Sequence, residues 1–556
     1  MPGRLVPQLV TSLQRYTARD LGADALAGII VGIVALPLAI AFGVASGVSP
    51  AQGVYTAIVA GFLISALGGS TVQIGGPTGA FVVIVFGIVA QYGYAGLAVA
   101  TMMAGVLLIL MGVARLGGAI KFIPYPVTTG FTTGIALIIA SQQVKDVLGL
   151  RMETVPAEFL DRFAEYAKTI HTVNAQAVLL SAAALAIIVY WPRVTRRVPS
   201  PFVALIVCTA VAQLLRLDVE TIGSRFGDIS FALPAPSLPS ISFEDARNLV
   251  SPAVSIALLA GIESLLSAVV ADGMVGTRHR SNMELVAQGV ANVASPLFGG
   301  IPATGAIART ATNIRNGARS PVAGIVHALT LLVIALALGR WAQLIPLSVL
   351  GAILLVVAYN MSEWRSFKSL LSAPKSDVIV LLITFGLTVV VDLTVAIEVG
   401  MVMAAFLFMK RMADVTNVNV ITREFEEDGR ETTNGRRADI PRGVVVYEIN
   451  GPFFFGAAET FKDTLATTMG KPKVLILRMR NVPAVDATGM HALEHLVRRT
   501  RHDGTLVLLS ELRTQPTIAL GRSGLLDDLG PEQTYETFEG AVDRARTVIA
   551  ATRAPS

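Results

Sequence analysis

Charge is what this chain has least of. Only 15% of its 556 residues are Asp, Glu, Lys or Arg, where soluble domains run nearer about 25%. Aromatic residues make up 6%, whereas 53% of the chain is hydrophobic and the mean hydropathy is +0.64. Such a balance excludes a wholly soluble or disordered protein and points to a polytopic membrane protein with some soluble part attached. A single cysteine, Cys208, excludes a disulfide framework within one chain. The six histidines are scattered, and there is no Ser/His/Asp array, Cys/His cluster or phosphate-binding glycine loop. An enzyme reading therefore finds no site, and no metal or other cofactor is called for. The net charge of +5 is spread over loops without a basic, aromatic-interleaved cluster, so no nucleic-acid partner is expected. The start, Met1-Pro-Gly-Arg4, carries no apolar segment with a cleavage site, and no removed signal peptide is expected.

What the chain has in abundance is apolar runs of spanning length. They fall near 24–47, 51–68, 94–113, 124–148, 175–191, 201–216, 251–270, 282–298, 320–338, 344–360, 376–392 and 393–412. Two further segments are broken. Gly75-Gly-Pro-Thr-Gly-Ala80 and Gly299-Gly-Ile-Pro-Ala-Thr-Gly-Ala306 share the core Pro, Thr, Gly, Ala, and each precedes a short helical run, near 77–90 and 303–315. A run of about 13 residues is roughly 20 Å long, too short for a hydrocarbon core of about 30 Å. Extended chain at 71–76 and 297–302 must cross the rest, so both half-helices are expected to begin near the midplane. A helix start offers free N–H groups and a positive dipole end to an anion. Arg309, inside the second half-helix, adds a full positive charge. Matched breaks in two halves are the best sequence pointer to a transporter's binding site.

Counting both half-helices gives fourteen spans, an even number that puts the two termini on one side. With the N-terminus inside, seventeen Lys and Arg fall on the inner side of the spans and eight on the outer. The positive-inside rule then places both ends in the cytoplasm. One break falls in each set of seven spans, and seven is odd, so the halves are oppositely oriented: a 7+7 inverted repeat. The proline-bearing segment 217–250 reads as an outer loop, and 151–174, mixed in charge, as a solvated face.

Beyond Arg411 the composition changes. Residues 413–440 read as a linker, rich in Glu, Arg and Gly over 420–440. Short strand-type runs follow at 444–449, 474–479 and 505–509, alternating with helical stretches at 457–469, 488–502 and 514–523. This is the pattern of a small α/β domain.

Ala35-Leu-Pro-Leu-Ala-Ile-Ala-Phe-Gly43, Gly75-Gly-Pro-Thr-Gly-Ala80, Ala260-Gly-Ile-Glu-Ser-Leu-Leu266 and Pro302-Ala-Thr-Gly-Ala-Ile-Ala-Arg-Thr-Ala-Thr312 together resemble bacterial members of the SulP (sulfate permease) anion transporter family. The tail around Val485-Asp-Ala-Thr-Gly489 resembles the STAS domain of that family. The resemblance covers nearly the whole chain. It implies a core domain moving against a gate domain, a homodimer in the bacterial cytoplasmic (inner) membrane, and a STAS domain open to a cytosolic partner. The implied domain limits are an N-terminal segment 1–23, a transmembrane domain 24–412, a linker 413–440 and a STAS domain 441–550. The implied cargo is a small inorganic or carboxylate anion such as sulfate, bicarbonate or a dicarboxylate. By the family's pattern it binds between the third and tenth segments, at Thr78, Gly79, Gly305, Ala306 and Arg309, with Phe42 on the first segment and Glu263 on the eighth. In sodium-coupled relatives the eighth segment resembles an Asp site and the tenth carries a Thr; here Glu263 and Ile307 stand there. Ile307 offers no oxygen to a hard cation.

Glu263 lies near mid-span, where an ionisable group is a functional hypothesis by default. Two roles stay open for it: a proton carrier, or a permanent ion-pair partner of Arg309. Ser267, one turn on, is a candidate partner for its carboxyl. Asp272 and Glu284 are expected at the membrane interface, and Asp24, Asp392 and Glu398 as capping or packing groups. In the tail, Asp486 and Thr488 suit a helix start. With Ala487 where soluble STAS regulators offer a hydroxyl, capping is expected of Thr488 rather than phosphorylation. The leading expectation is proton-coupled import of an anion. Uncoupled exchange, a channel, and an anion-sensing regulator signalling through the STAS domain are the alternatives.

Overall fold

The computed structural model describes residues 5–14, 16–118, 124–152, 156, 158–195, 198–239, 247–391, 393–415, 417–421, 440–454 and 472–553. The chain divides into two compact units, Met1–Ala404 and Ala405–Ser556.

In the first unit the helices are α1 (Gln8–Leu13), α2 (Ala18–Ala45), α3 (Pro50–Leu67), α4 (Gly79–Val113), α5 (Tyr125–Gln142), α6 (Val144–Leu148), α7 (Phe159–Thr169), α8 (Ala175–Val194) and α9 (Ser200–Leu214). After α10 (Ile222–Phe226) come α11 (Val250–Val275), α12 (Ser281–Leu297), α13 (Ile307–Arg315), α14 (Val322–Leu338), α15 (Leu347–Met361), α16 (Trp364–Leu370), α17 (Lys375–Val390) and α18 (Leu393–Val415), which runs into the second unit. Among the described residues, seven helices or helix runs are long and apolar enough to cross a membrane. The starts follow from local chemistry. Thr17 and Asp20 form a reciprocal capping box on α2, and Ser49, Pro50 and Gln52 do the same for α3.

The 35-residue α4 is really two pieces. Gly93 sits inside it at φ +66°, a left-handed conformation that favours glycine, and ends the first half-helix. The predicted spans 77–90 and 94–113 are these two pieces. All fourteen predicted spans have a helix in place, and their packing repeats with the halves exchanged. Thus α2 and α3 of the first half pack on α14, while α11 and α12 of the second pack on α4. Likewise α5 packs on α17 as α15 packs on α8.

Three local expectations are corrected. The second half-helix opens at Ile307 rather than 303, because Thr304–Gly305 is spent in a strand. The segment 151–174 is not simply solvated. It carries α7, on which Arg162 is fully buried, donating from Nη1 to Ser141 Oγ at 2.8 Å and from Nε to the Pro156 carbonyl at 3.1 Å. Tyr166 beside it donates to the Ser141 carbonyl at 2.9 Å. And the stretch read as linker contains a strand, Asn417–Ile421. The rest of that linker from 422 to 439, the helix expected at 457–469 (within 455–471) and Asp392 lie outside the described residues.

That strand is the edge of the second unit's sheet. Calling the two-residue strands of the first unit β1 (Gly75–Gly76) and β2 (Thr304–Gly305), the sheet comprises β3 (Asn417–Ile421), β4 (Val444–Asn450), β5 (Val474–Asn481), β6 (Leu506–Ser510) and β7 (Thr534–Tyr535), in that order. β3 runs antiparallel to β4, and the rest are parallel. Alternate residues serve opposite faces. Tyr447, Leu475 and Val507 pack on helices α19 (Ala487–His502) and α20 (Thr514–Arg522), whereas Val446, Ile476 and Leu508 pack on α22 (Phe538–Arg553), which follows α21 (Leu525–Leu529). Arg478 pairs with Glu448 at 3.3 Å and with Glu511. Burial works against its charge, but these partners outweigh it and the guanidinium pKa is pushed up.

Candidate functional site

Both chain breaks meet. β1 and β2 pair antiparallel, with Gly75 opposite Gly305 and Gly76 opposite Thr304. Ala306 N donates to the Ile74 carbonyl at 2.8 Å, so α13 starts directly from this two-stranded junction, and α4 starts after Thr78. In α13 the first helical bond runs from Thr310 N to the Ala306 carbonyl at 2.9 Å. The amides of Ile307, Ala308 and Arg309 precede it, the ordinary condition of a helix start.

Arg309 is 3% exposed, and its Nη2 donates to the Pro77 carbonyl. The strand leaves room for it only because residue 76 is glycine. At φ +142° other side chains are strained, and a Cβ there would stand 2.7 Å from Arg309 Nη1. Thr78 is buried, and its Oγ1 has no hydrogen-bond partner among the described residues. A Cβ on Gly79 would lie 2.7 Å from Met361 Sδ and 3.4 Å from Phe42 Cε1, so the Phe42 ring and the end of α15 both close on the start of α4. The sequence-predicted residues Phe42, Thr78, Gly79, Gly305, Ala306 and Arg309 are thus drawn to this one junction.

Glu263 is separate from it in bonding terms. No hydrogen bond or ion pair joins its carboxyl to any described residue, Arg309 included. Another carboxylate, Glu363, precedes α16 in a left-handed conformation at φ 41°. Ser267, expected beside Glu263, instead pairs its hydroxyl with Thr310 Oγ1 at 3.3 Å.

The junction is held by polar groups that the sequence reading passes over. Thr310 Oγ1 accepts from Ile74 N at 3.0 Å, Asn313 Nδ2 donates to the Val72 carbonyl at 2.9 Å, and Thr304 Oγ1 donates to the Ala260 carbonyl at 2.9 Å. Gln73 Nε2 donates to the Ser264 carbonyl at 2.9 Å. On α12 a stripe of Glu284, Gln288 and Asn292 faces the same way. Asn292 holds Ala303 by donating to its carbonyl at 2.8 Å and accepting from its amide at 2.9 Å. Glu284, in the first turn of α12, is fully buried, accepting from Gly69 N, Ser264 Oγ and Gln288 Nε2 at 2.9, 3.1 and 2.9 Å. Residues four apart share a helix face, so this polar stripe was a readable signal. Asp272, also expected at an interface, accepts from His279 N and Nδ1 at 2.9 and 2.6 Å. Asp24 does act as a capping group, accepting from Arg319 N and Ser320 N just ahead of α14 at 2.6 and 3.1 Å; Glu398 is exposed. In the second unit Asp486 caps α19 through Gly489 N at 2.7 Å, and Thr488 is exposed without sharing that cap.

Two oppositely oriented seven-span halves, each with a broken segment meeting its counterpart, define a membrane transporter of the inverted-repeat class. Residues 21–384 match the sulfate permease family and residues 436–541 match the STAS domain. The chain belongs to the sulfate permease family: it is a transporter and not an enzyme. Its similarity to the Bacillus subtilis (strain 168) protein named "Putative sulfate transporter YvdB" is 42% identity over 526 residues, 94% of this chain and 97% of that one. The bicarbonate transporter BicA of Picosynechococcus is 30% identical over 506 residues, 89% of each. Among solved structures, SLC26A9 superposes with a TM-score of 0.87 at 20% identity, over 99% of this chain and 94% of that one, a likeness of fold. The transmembrane domain of a cyanobacterial BicA gives 0.63 at 29% identity, over 72% of this chain and all of that one.

Proposed function

We propose that this transporter carries a small anion of the sulfate, bicarbonate or dicarboxylate class by alternating access, with a proton as the coupling ion. Its setting is the bacterial cytoplasmic membrane, with both termini cytoplasmic, as a homodimer bathed in lipid and with a STAS domain that meets a cytosolic partner. The relatives named for sulfate and bicarbonate support the cargo class.

One observation carries the site. Arg309 is a buried cation that has a backbone carbonyl and, among the described residues, no carboxylate for company, beside two helix starts. A buried charge left unpaired costs several kcal/mol, roughly, so a site built this way is completed by an anion. In this reading the anion lies on Arg309 and the amides of Gly79, Ile307 and Ala308, near the Thr78 hydroxyl, with Phe42 closing over it. Glu263, unpaired among the described residues, carries the proton. Moving a bare anion inward opposes the membrane potential by about 2.3 kcal/mol per charge per 100 mV, and a co-transported proton cancels one charge.

The test is uptake into proteoliposomes of a panel of anions, with an imposed inward proton gradient and, separately, a sodium gradient. Wild type should accumulate its substrate with the proton gradient. Glu263→Gln, a mimic of the protonated form, should bind and exchange the anion but lose pH-driven accumulation. Uptake that ignores pH and follows sodium would sink the proton role, as would a Glu263→Gln variant that still accumulates.

A further inference from the structure

His327, on α14, plays no part in the account so far. It is 0% exposed, and neither ring nitrogen meets a partner in full hydrogen-bond geometry among the described residues, although the backbone of Val31 on α2 lies within reach of one of them. A neutral imidazole offers one donor and one acceptor, and an imidazolium offers two donors. Leaving one nitrogen bare and the other only loosely met in a dry interior is unusual and calls for a reason. The ring reaches α3 at Gly61. A Cβ built there would stand 3.9 Å from His327 Nε2 and 3.2 Å from the carbonyl oxygen of Gly75. The strand Gly75–Gly76 therefore has His327 near one of its residues and the Arg309 guanidinium against the next.

The charged surroundings are sparse. Helix α3 contributes no ionisable group except Tyr55, whose hydroxyl donates to the Ser230 carbonyl. From α2 the charged groups are Arg19, Asp20 and Asp24 at its first turns, of which Asp20 and Asp24 are occupied by Arg319 and Ser320 ahead of α14. Arg340 lies just beyond the far end of α14 over the Trp341 ring. Glu284 reaches the Gly68–Gly69 end of α3 and is satisfied by three donors. The cation nearest in the chain's geometry is Arg309, whose guanidinium stands against Gly76 on the strand that His327 approaches at Gly75.

We propose that His327 is a second proton-binding residue of the transport cycle, taking up a proton when an anion neutralises Arg309 and losing it when the anion leaves. The physics is mutual. A proton on His327 with Arg309 bare sets two positive charges around one glycine strand, whereas an anion on Arg309 removes that repulsion. Coupling of this kind is reciprocal, so protonation of His327 tightens the anion by the same factor that the anion favours the proton. The small residues around the ring matter too. Glycine at 61 leaves without a side chain the spot that both the imidazole and the Gly75 carbonyl approach.

This inference rests on the reading of Arg309 as the anion's partner, and the experiment separates the two. Purified full-length protein in weakly buffered detergent solution receives sulfate, and proton uptake and sulfate binding are recorded together between pH 5.5 and 8. Wild type should take up protons as it binds, and bind sulfate roughly threefold to tenfold more tightly at the acid end. His327→Gln should keep binding at alkaline pH, flatten the pH dependence and cut the protons taken up per sulfate by about half, Glu263 supplying the remainder. Wild-type binding without any proton uptake overturns the proposal, as does a His327→Gln variant with unchanged uptake. If histidine 327 variants misfold, the wild-type imidazole resonance, followed by NMR with and without sulfate, decides alone: a ring that titrates identically in both conditions contradicts the coupling. Arg309→Ala tests the parent reading separately, since normal sulfate affinity there removes the site, whatever His327 does.

Discussion

At the scale of single residues, the membrane half separates charges that are satisfied from charges that are kept waiting. Glu284 belongs to the first kind. Its carboxylate collects an amide, a hydroxyl and a side-chain amide from three parts of the chain, and among the described residues it pairs with no cation. Glu284→Ala should leave those donors unsatisfied at about 1–3 kcal/mol each and lower the melting temperature of the purified protein sharply, with Glu284→Gln milder. An unchanged melting temperature in the alanine variant would contradict a structural role. Arg309, buried, and Glu263, half-buried, belong to the second kind, each in a span without an opposite charge paired to it among the described residues. The sequence marked both by depth and motif. It could not say whether they met, because two helices that share a bundle can present side chains to different neighbours. Ser267 shows the same blindness: one helical turn puts it near Glu263 along the chain, but Thr310 from α13 claims its hydroxyl.

At the scale of elements, the glycine-rich breaks were legible because punctuation is local. Gly and Pro limit what the backbone can do wherever they stand, so two matched breaks announce two half-helices without tertiary information. Their pairing as β1 and β2 was not legible, since a two-residue strand has no periodicity to read. The joint at Gly93 was legible only as a gap, since it falls between the predicted spans 77–90 and 94–113 without its own residue being marked. A control and a test sit within the first break. Gly76→Ala places a Cβ at 2.7 Å from Arg309 Nη1 on a backbone at φ +142°, so it should displace the guanidinium and reduce anion binding by about tenfold or more. Gly87→Ala, with nothing within 4 Å of its new Cβ in the same half-helix, should bind normally. Equal affinities for the two variants, measured by equilibrium binding, would show that the strand does not position Arg309.

At the scale of the whole molecule, composition alone separated a membrane unit from a soluble one, and parity of the spans gave the inverted repeat. The second unit begins earlier than its hydrophobic pattern suggests, because β3 is short and polar on alternate positions and joins the sheet only through β4. A truncation made at residue 440 therefore strands an edge strand, whereas removing 416–556 takes the sheet as a whole. That longer deletion should leave anion affinity within about twofold of the full chain, since every group proposed to touch the anion lies in the first unit. A large change in affinity for a well-folded truncation would contradict this separation. The account as a whole stands on one charge, and the most direct measurement is equilibrium binding of the transported anion to purified Arg309→Ala and Arg309→Lys proteins whose melting temperatures match wild type. Loss of a buried charge-assisted contact predicts binding at least tenfold to a hundredfold weaker in the alanine variant, with lysine recovering part of it. An alanine variant that binds as tightly as wild type would contradict the claim that the anion rests where the two broken segments meet.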